Sequence, residues 1–348
     1  MRFELSVLKD FRGIEDGRRE WGPGINLILG PNGAGKTNLL ESLAILTGWG
    51  PLSGHVRGTI SWDCGATHAW VGGKISGDDD ERANETHEIA VQLSSRMTPR
   101  VDGCRASCTD LRLLAPSIVF LPADIDLIDG SPSLRRAFID RLCALYYPPY
   151  ARRLSDFRRV ARHRTALLRQ GKSPEITSLP FAQLGGWIME ARRRLVSNFA
   201  SQARSGFDFS LSMTPEIDIN VNGAEYLLSA LKDTLERETH AMRPLVGPGR
   251  DDVEISVNIA GNSRPASECL SRGQKRRLVL SLILTAGRLI EQRLRKKPVL
   301  LFDDLAAELD AENRKLAGKL LSETGWQVFV TGTENPFGDD SKFAIHNL

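Results

Sequence analysis

Disulfide and zinc chemistry have little to work with in this 348-residue sequence. Its five cysteines, Cys64, Cys104, Cys108, Cys143 and Cys269, are odd in number and contain no CxxC pair, and His163 stands alone among arginines. Neither a disulfide framework nor a zinc site is expected. No apolar run approaches the roughly 18 residues that suggest a membrane-spanning helix. The opening MRFELSVLKDFRG alternates charged and apolar residues and does not read as a signal peptide, so a cytoplasmic location is the default expectation. An excess of one charge is also lacking. The 46 basic and 43 acidic residues leave +3, which gives no hint of a polyanionic partner. With no internal repeat and 41% hydrophobic residues, the chain reads as one large or two medium globular domains.

Along the chain, RFELSVLKDF, GINLIL, GTISW and EIAVQL read as short strands in the first third. The acidic run Asp78, Asp79, Asp80 and Glu81 reads as a solvated hairpin tip rather than a metal site. After IVFLP, arginine-rich helical segments run to about residue 200, broken at Pro148–Pro149 and at GKSP. Strand signals return in EIDINVN and VEISVNIAG, with a turn at Gly261–Asn262. A long helix fits Gln274 to about Lys297, and VLLFDD and QVFVTGT have the β-branched apolar content of strands buried on both faces of a parallel sheet.

The strongest local signal is GPNGAGKT, set between the strand INLIL and the helix NLLESLAIL. Here Gly30, Pro31, Asn32, Gly33, Ala34, Gly35, Lys36, Thr37 and the following Asn38 form a candidate phosphate cradle. The glycines let successive N–H groups turn towards phosphate oxygens, and the helix N-terminus adds its positive end. Lys36 would neutralise the β- and γ-phosphates, and the Thr37 hydroxyl would complete a Mg²⁺ shell. The plain alternative is a glycine-rich turn that binds nothing. VLLFDD supplies Asp303 as the second Mg²⁺ ligand and Asp304 to orient or deprotonate the attacking water. LSRGQ places Ser271, Gly273 and Gln274 at a helix start with exposed N–H groups, a second anion site or simply a capped helix.

In this order GPNGAGKT, LSRGQ, VLLFDD and LAAELD resemble the ATP-binding cassette ATPases, in the branch holding the SMC proteins and the RecF family. The resemblance to the RecF family extends over KDFRG, FLPADIDLIDGSPSLRRAFID, GPGRDD and QVFVTGT, from about residue 8 to 333. Thr37 and Ser271 lie 234 positions apart, longer than transporter subunits place these motifs, and the insertion lacks the sustained heptads of SMC proteins.

The resemblance implies an α/β fold, a P-loop ABC-type ATPase head with an inserted α-helical arm. Residues 1–130 and 241–348 would form the core, and 131–240 the arm. It further implies an ATP-dependent homodimer in which Ser271 and Gly273 of one subunit meet ATP on the other. It implies a role at gapped or single-strand/duplex DNA junctions in repair, replication restart and the SOS response, with RecO and RecR helping to load RecA. The competing readings are a membrane transporter's ATPase subunit and a P-loop kinase. Two departures stand out: Gly249 occupies the family's usual His in GPHRDD, and Thr331 or Thr333 stands where a switch His is usual, which points to slow hydrolysis.

The near-neutral balance divides along the chain. Between Arg135 and Arg194, fourteen basic residues face four acids, Asp140, Asp156, Glu175 and Glu190, so that the rest of the chain sums to −7. With few acids at hand, a DNA-facing arm is expected. Arg135, Arg136, Arg152, Arg159 and Arg162 are the candidate DNA contacts, to single or double strands. Tyr146, Tyr147 and Tyr150, beside Pro148 and Pro149, read as a packed turn rather than a base-stacking platform.

Overall fold

A computed structural model describes residues 1–62, 65–77, 85–200, 209–218, 220–259, 261–305, 309–338 and 343–348. In chain order the strands are β1 (Arg2–Lys9), β2 (Gly17–Glu20), β3 (Ile25–Leu29), β4 (Ala69–Ser76), β5 (Thr86–Leu93), β6 (Met97–Val101), β7 (Cys104–Arg105), β8 (Ser117–Phe120), β9 (Phe209–Thr214), β10 (Asp252–Ile259), β11 (Asn262–Pro265), β12 (Val299–Phe302), β13 (Val328–Gly332) and β14 (Ala344–Asn347). The helices are α1 (Lys36–Leu46), α2 (Cys108–Leu114), α3 (Pro132–Tyr146), α4 (Tyr150–Arg169), α5 (Ser178–Ala200), α6 (Gly223–Ala241), α7 (Ala266–Cys269), α8 (Arg272–Leu294) and α9 (Ala311–Glu323).

The chain divides into two compact units, the first Met1–Ile125 with Ser271–Leu348, the second Asp126–Leu270. In the first, an antiparallel sheet runs β2-β1-β4-β5-β6-β7 and a parallel one β14-β3-β13-β12-β8. Helix α1 is buried from Leu39 to Leu46 and packs on strands of both sheets, which is why its sequence is apolar almost all round. The one charge in its buried stretch, Glu41, is neutralised by Arg12 of KDFRG, whose Nε and Nη2 donate to the two carboxylate oxygens at 2.7 and 2.9 Å. That motif therefore anchors the helix that carries the P-loop.

The second unit packs α3 to α6 with the three-stranded sheet β11-β10-β9. Helices α5 and α6 touch backbone to backbone: a Cβ on Gly186 would stand 2.3 Å from the Ala224 nitrogen. This unit reaches past residue 240 to Leu270 because β10 and β11 pair with β9.

Two expected strands are not formed among the described residues. GTISW holds a 3₁₀ turn over Val56–Thr59, closed by the Gly58 N–H on the His55 carbonyl, and only Ile60 makes a bridge, to Phe11. In place of EIDINVN the strand is Phe209–Thr214, and its ladder stops at Thr214 opposite Asp252, where Pro215 has no N–H to donate. The β10–β11 hairpin pairs Ile259 with Asn262, so Asn262 opens a strand instead of lying in the turn. The long helix starts at Arg272 and ends at Leu294, earlier than expected, with Arg295 in the left-handed region at φ 54°. Residues 78–81 with their expected hairpin tip, Cys64, Ile219 and residues 306–308 of LAAELD lie outside the described residues. Among the described residues, no helix is long and apolar enough to cross a membrane.

Candidate functional site

Three neighbouring parallel strands, β3, β13 and β12, end side by side, and the site lies beyond their carboxyl ends, where open parallel sheets bind ligands. The loop after β3 needs left-handed backbone at Gly33 (φ 86°) and Gly35 (φ 92°), a conformation that side chains strain. Gly35 caps α1 without a side-chain hydrogen bond, so the first N–H groups of that helix remain directed out of its end. Asn32, Gly33, Gly35, Lys36, Thr37, Asn38, Asp303, Asp304, Thr331 and Thr333 line a cavity of about 260 Å³. Gly30, Pro31 and Ala34 belong to the loop but not to this lining. Lys36 Nζ donates to the Gly30 and Pro31 carbonyls, both at 2.8 Å, so its charge is held by the loop itself.

At the floor, Thr37 Oγ1 donates to Asp303 Oδ1 and Oδ2 at 2.9 and 3.1 Å. Thr331, on the middle strand, donates to Asp303 Oδ1 at 2.8 Å and accepts the Asp304 N–H at 2.8 Å. The carboxylate of Asp303 is buried, and that of Asp304 is exposed in the cavity wall. A hydroxyl and a carboxylate side by side are hard oxygen donors, the set that suits Mg²⁺ and not a thiophilic metal, so the residues fit that ion. The sequence gives no reason to single out Thr331 as the residue that orients Asp303. Its signals are its place at the end of a buried strand and, with Thr333, in the region where a switch His is usual.

Ser271, Gly273 and Gln274 are not among the residues lining this cavity. The Ser271 N–H donates to Gln274 Oε1 at 2.8 Å and Ser271 Oγ accepts from the Gln274 N–H at 3.4 Å, a capping box that opens α8. Ser271 and Arg272 are exposed.

The arginines of the second unit fall into two groups. Arg135 makes a bidentate pair with Asp252, both bonds at 2.8 Å, and Arg136 donates to the Asp251 carbonyl at 2.7 Å. Arg192 joins Asp140 and Asp251 at 2.8 and 3.0 Å, and Arg164, fully buried, holds Glu238 at 2.6 Å. Burial pushes the Asp251 carboxyl up to about 6, against the pull of Arg192. Arg193 is buried, and its three nitrogens have no hydrogen-bond partner among the described residues. GPGRDD is thus a structural hub that ties α3 and α5 to β10. By contrast Arg152, Arg159 and Arg162 of α4 are exposed, Arg159 with a loose 3.5 Å pair to Asp156. Tyr150 is buried and donates to Asp140, so it offers no ring to a base.

A family model described as RecF/RecN/SMC N terminal domain matches residues 3–344. The DNA replication and repair protein RecF of Heliobacterium modesticaldum is 30% identical over 353 residues, covering 95% of this chain and 91% of the relative. That of Moorella thermoacetica is 32% identical over 334 residues, with 90% and 84% covered. Among solved structures, the recombination mediator protein RecF-ATPrS in the RecFOR pathway superposes with a TM-score of 0.86 at 24% identity, covering 98% and 95% of the two chains. An SMC head bound to the C-winged helix domain of ScpA gives 0.53 at 19% identity, covering 96% and 90%. The fold is that of an ABC-type ATPase head, and with sequence similarity along nearly its whole length the chain belongs to the RecF family of DNA replication and repair proteins.

Proposed function

We propose that the chain is an ATP-dependent DNA-binding recombination mediator whose weak ATPase works as a switch. The observation that carries this reading is the hydrogen-bonded set Thr37, Asp303 and Thr331 beside a glycine-rich helix start at the ends of three adjacent parallel strands. The phosphates would lie on the N–H groups from Gly33 to Thr37. Lys36 would exchange the Gly30 and Pro31 carbonyls for phosphate oxygens. Thr37 and Asp303 would hold Mg²⁺, which when bound supplies charge to offset that of the terminal phosphates. Asp304, exposed in the wall, would orient the attacking water. Among the described residues no histidine lines the cavity, and the Thr331 hydroxyl is already engaged on both sides, which supports slow turnover.

Ser271, Gly273 and Gln274, exposed or partly so at the start of α8 and away from this chain's own cavity, would serve the nucleotide of a second copy, giving an ATP-dependent homodimer. Arg152, Arg159 and Arg162 would contact DNA phosphates. Arg135 and Arg136 support this less, since their donors are engaged within the unit. Family membership supports work in the cytoplasm at gapped or single-strand/duplex junctions, with RecO and RecR as partners and RecA loading as the outcome. The transporter-subunit alternative is not favoured, since it accounts for neither the family match nor the exposed arginines.

The test is sedimentation and DNA binding with ATP, ADP and no nucleotide, for wild type, Lys36→Met and Ser271→Arg. The expected result is an ATP-dependent dimer with raised DNA affinity. Lys36→Met should lose both, whereas Ser271→Arg should still bind ATP as a monomer. Equal DNA affinity in all nucleotide states would refute the reading.

A further inference from the structure

The second unit carries a groove of about 760 Å³ that the nucleotide reading does not use. Its floor is apolar. Phe157 and Phe181 pack on each other with ring centroids 4.8 Å apart, and Ala161, Ala166, Pro244 and Val246 continue the surface. Its remaining lining includes four arginines, Arg158, Arg162, Arg169 and Arg250, and, among the described residues, no acid. Of these, Arg250 is turned onto the Pro244 carbonyl at 2.8 Å, and Arg158 has a 3.6 Å approach to Asp140 while staying 64% exposed. Arg162 and Arg169, at helical spacing on α4, are exposed in the same lining. Leu179 and Met242, each two positions from a lining residue, are 57% and 55% exposed, so apolar surface continues beside the groove.

We propose that this groove docks a peptide segment of a partner protein in which acidic residues flank bulky apolar ones. A wholly charged ligand would leave the floor unused, and an apolar one would leave the arginine rim without counter-charges. Duplex DNA fits less well. Its phosphates are met by projecting charges, not by a concave apolar floor, and Phe157 and Phe181 are 5% and 1% exposed, too buried to act as stacking platforms. On α4, the groove residues Phe157, Ala161 and Thr165 fall on a different face from Arg152 and Arg159; Arg162, at the rim, is the one DNA candidate the groove shares, so a peptide held by the apolar floor leaves the other two arginines open to DNA. The proposal stands apart from the nucleotide reading, because no P-loop residue takes part in it.

The experiment selects a random-peptide phage library on the full wild-type chain and measures fluorescein-labelled copies of the enriched peptides by anisotropy. A Cβ on Gly249 meets nothing within 4 Å, so Gly249→Trp can fill the groove without displacing backbone. Arg169→Glu reverses a charge on the rim. Expected are enriched peptides pairing Asp or Glu with Phe, Leu or Trp, which lose about tenfold or more in affinity with either variant and are not displaced by duplex DNA. Should Gly249→Trp fold poorly, Arg169→Glu decides. The proposal is overturned if no such pattern is enriched, if both variants bind as wild type does, or if alanine in place of the bulky residues leaves binding unchanged. Displacement by duplex DNA would overturn it in favour of a nucleic-acid groove.

Discussion

The two units use charge in opposite ways. Around the P-loop, one lysine, two aspartates and three threonines converge on a small cavity, and the lysine is held by carbonyls of its own loop. In the second unit the arginines nearest the interior are matched to carboxylates that lie far away in sequence: Arg135 to Asp252, Arg192 to Asp251, Arg164 to Glu238. Those acids all fall outside the Arg135–Arg194 stretch. A window along the chain therefore counts the guanidinium groups and misses their partners. Counted over the compact units, the second holds 20 basic and 17 acidic residues, and the first 26 of each. The expected division into an acidic core and a strongly basic arm disappears at this scale. What remains is one helix, α4, with exposed arginines and Asp156 as its single acid.

The comparison is broken most severely at its buried pair. Arg164 and Glu238 have no exposed side-chain surface, and the remaining Arg164 donors reach Pro174, Thr177 and Ser178. Glu238→Gln should cost about 3–5 kcal/mol in denaturant unfolding, because it leaves an uncompensated buried guanidinium. A double change to apolar residues, Arg164→Met with Glu238→Met, should recover most of that loss. If Glu238→Gln costs no more than a surface substitution, the view of these arginines as structural fails.

In the first unit the matching test is Thr331→Val. It removes the hydroxyl that orients Asp303 while leaving both proposed ligands in place. Mg²⁺-dependent nucleotide affinity should fall by about 10–100-fold, the usual effect of losing an outer partner of a metal ligand, with nucleotide binding in the absence of Mg²⁺ little changed. An unchanged Mg²⁺ dependence would show that Asp303 needs no such support.

This contrast explains what could be read from sequence. The P-loop and the VLLFDD strand were legible because their function is local: glycines, lysine and carboxylates sit at fixed offsets from strand ends, and β3 and β12 bring them together. Thr331 was not legible as an orienting group, since nothing in QVFVTGT distinguishes it from Thr333 until β13 lies between β3 and β12. Arg135 and Arg136 were legible as basic but not as engaged, because Asp251 and Asp252 arrive from a strand more than a hundred positions away. GTISW and EIDINVN misled for the converse reason: their β-branched content suits a ladder, but Gly58 closes a tight turn in one and Pro215 stops pairing ahead of the other.

A smaller effect separates exposed from engaged arginines directly. Changing Arg152 and Arg159 to Gln should weaken DNA binding about evenly across sequences and flatten the salt dependence by roughly one unit of slope for each phosphate left without its arginine. Arg135→Gln should instead lower the unfolding midpoint, with the salt slope of DNA binding unchanged. A flattened slope with Arg135→Gln alone would return that residue to the DNA face.

The smallest expected effect is electrostatic and lies in the first unit's antiparallel sheet, where a titrating pair is open to solvent. His87 Nδ1 and Asp102 Oδ2 are 2.7 Å apart, and the bond to Asp102, more than its partial burial, raises the imidazole above its ordinary value while lowering the carboxyl. A raised His pKa means stability fully present below the unfolded value of about 6.5 and lost as pH rises through the folded one. A lowered Asp pKa means stability present above about 3.9 and lost as pH falls through the folded one. The pair therefore contributes most between these limits. Asp102→Asn tolerates the left-handed backbone at φ 49° and can still accept the Glu88 N–H, so it removes the charge alone. The difference in Tm between wild type and Asp102→Asn should be greatest between the two unfolded values and fade as pH rises through the raised value of His87. A difference that grows with pH would reverse the sign assigned to this pair and show that the exposed charges of the first unit are not governed by their nearest partners.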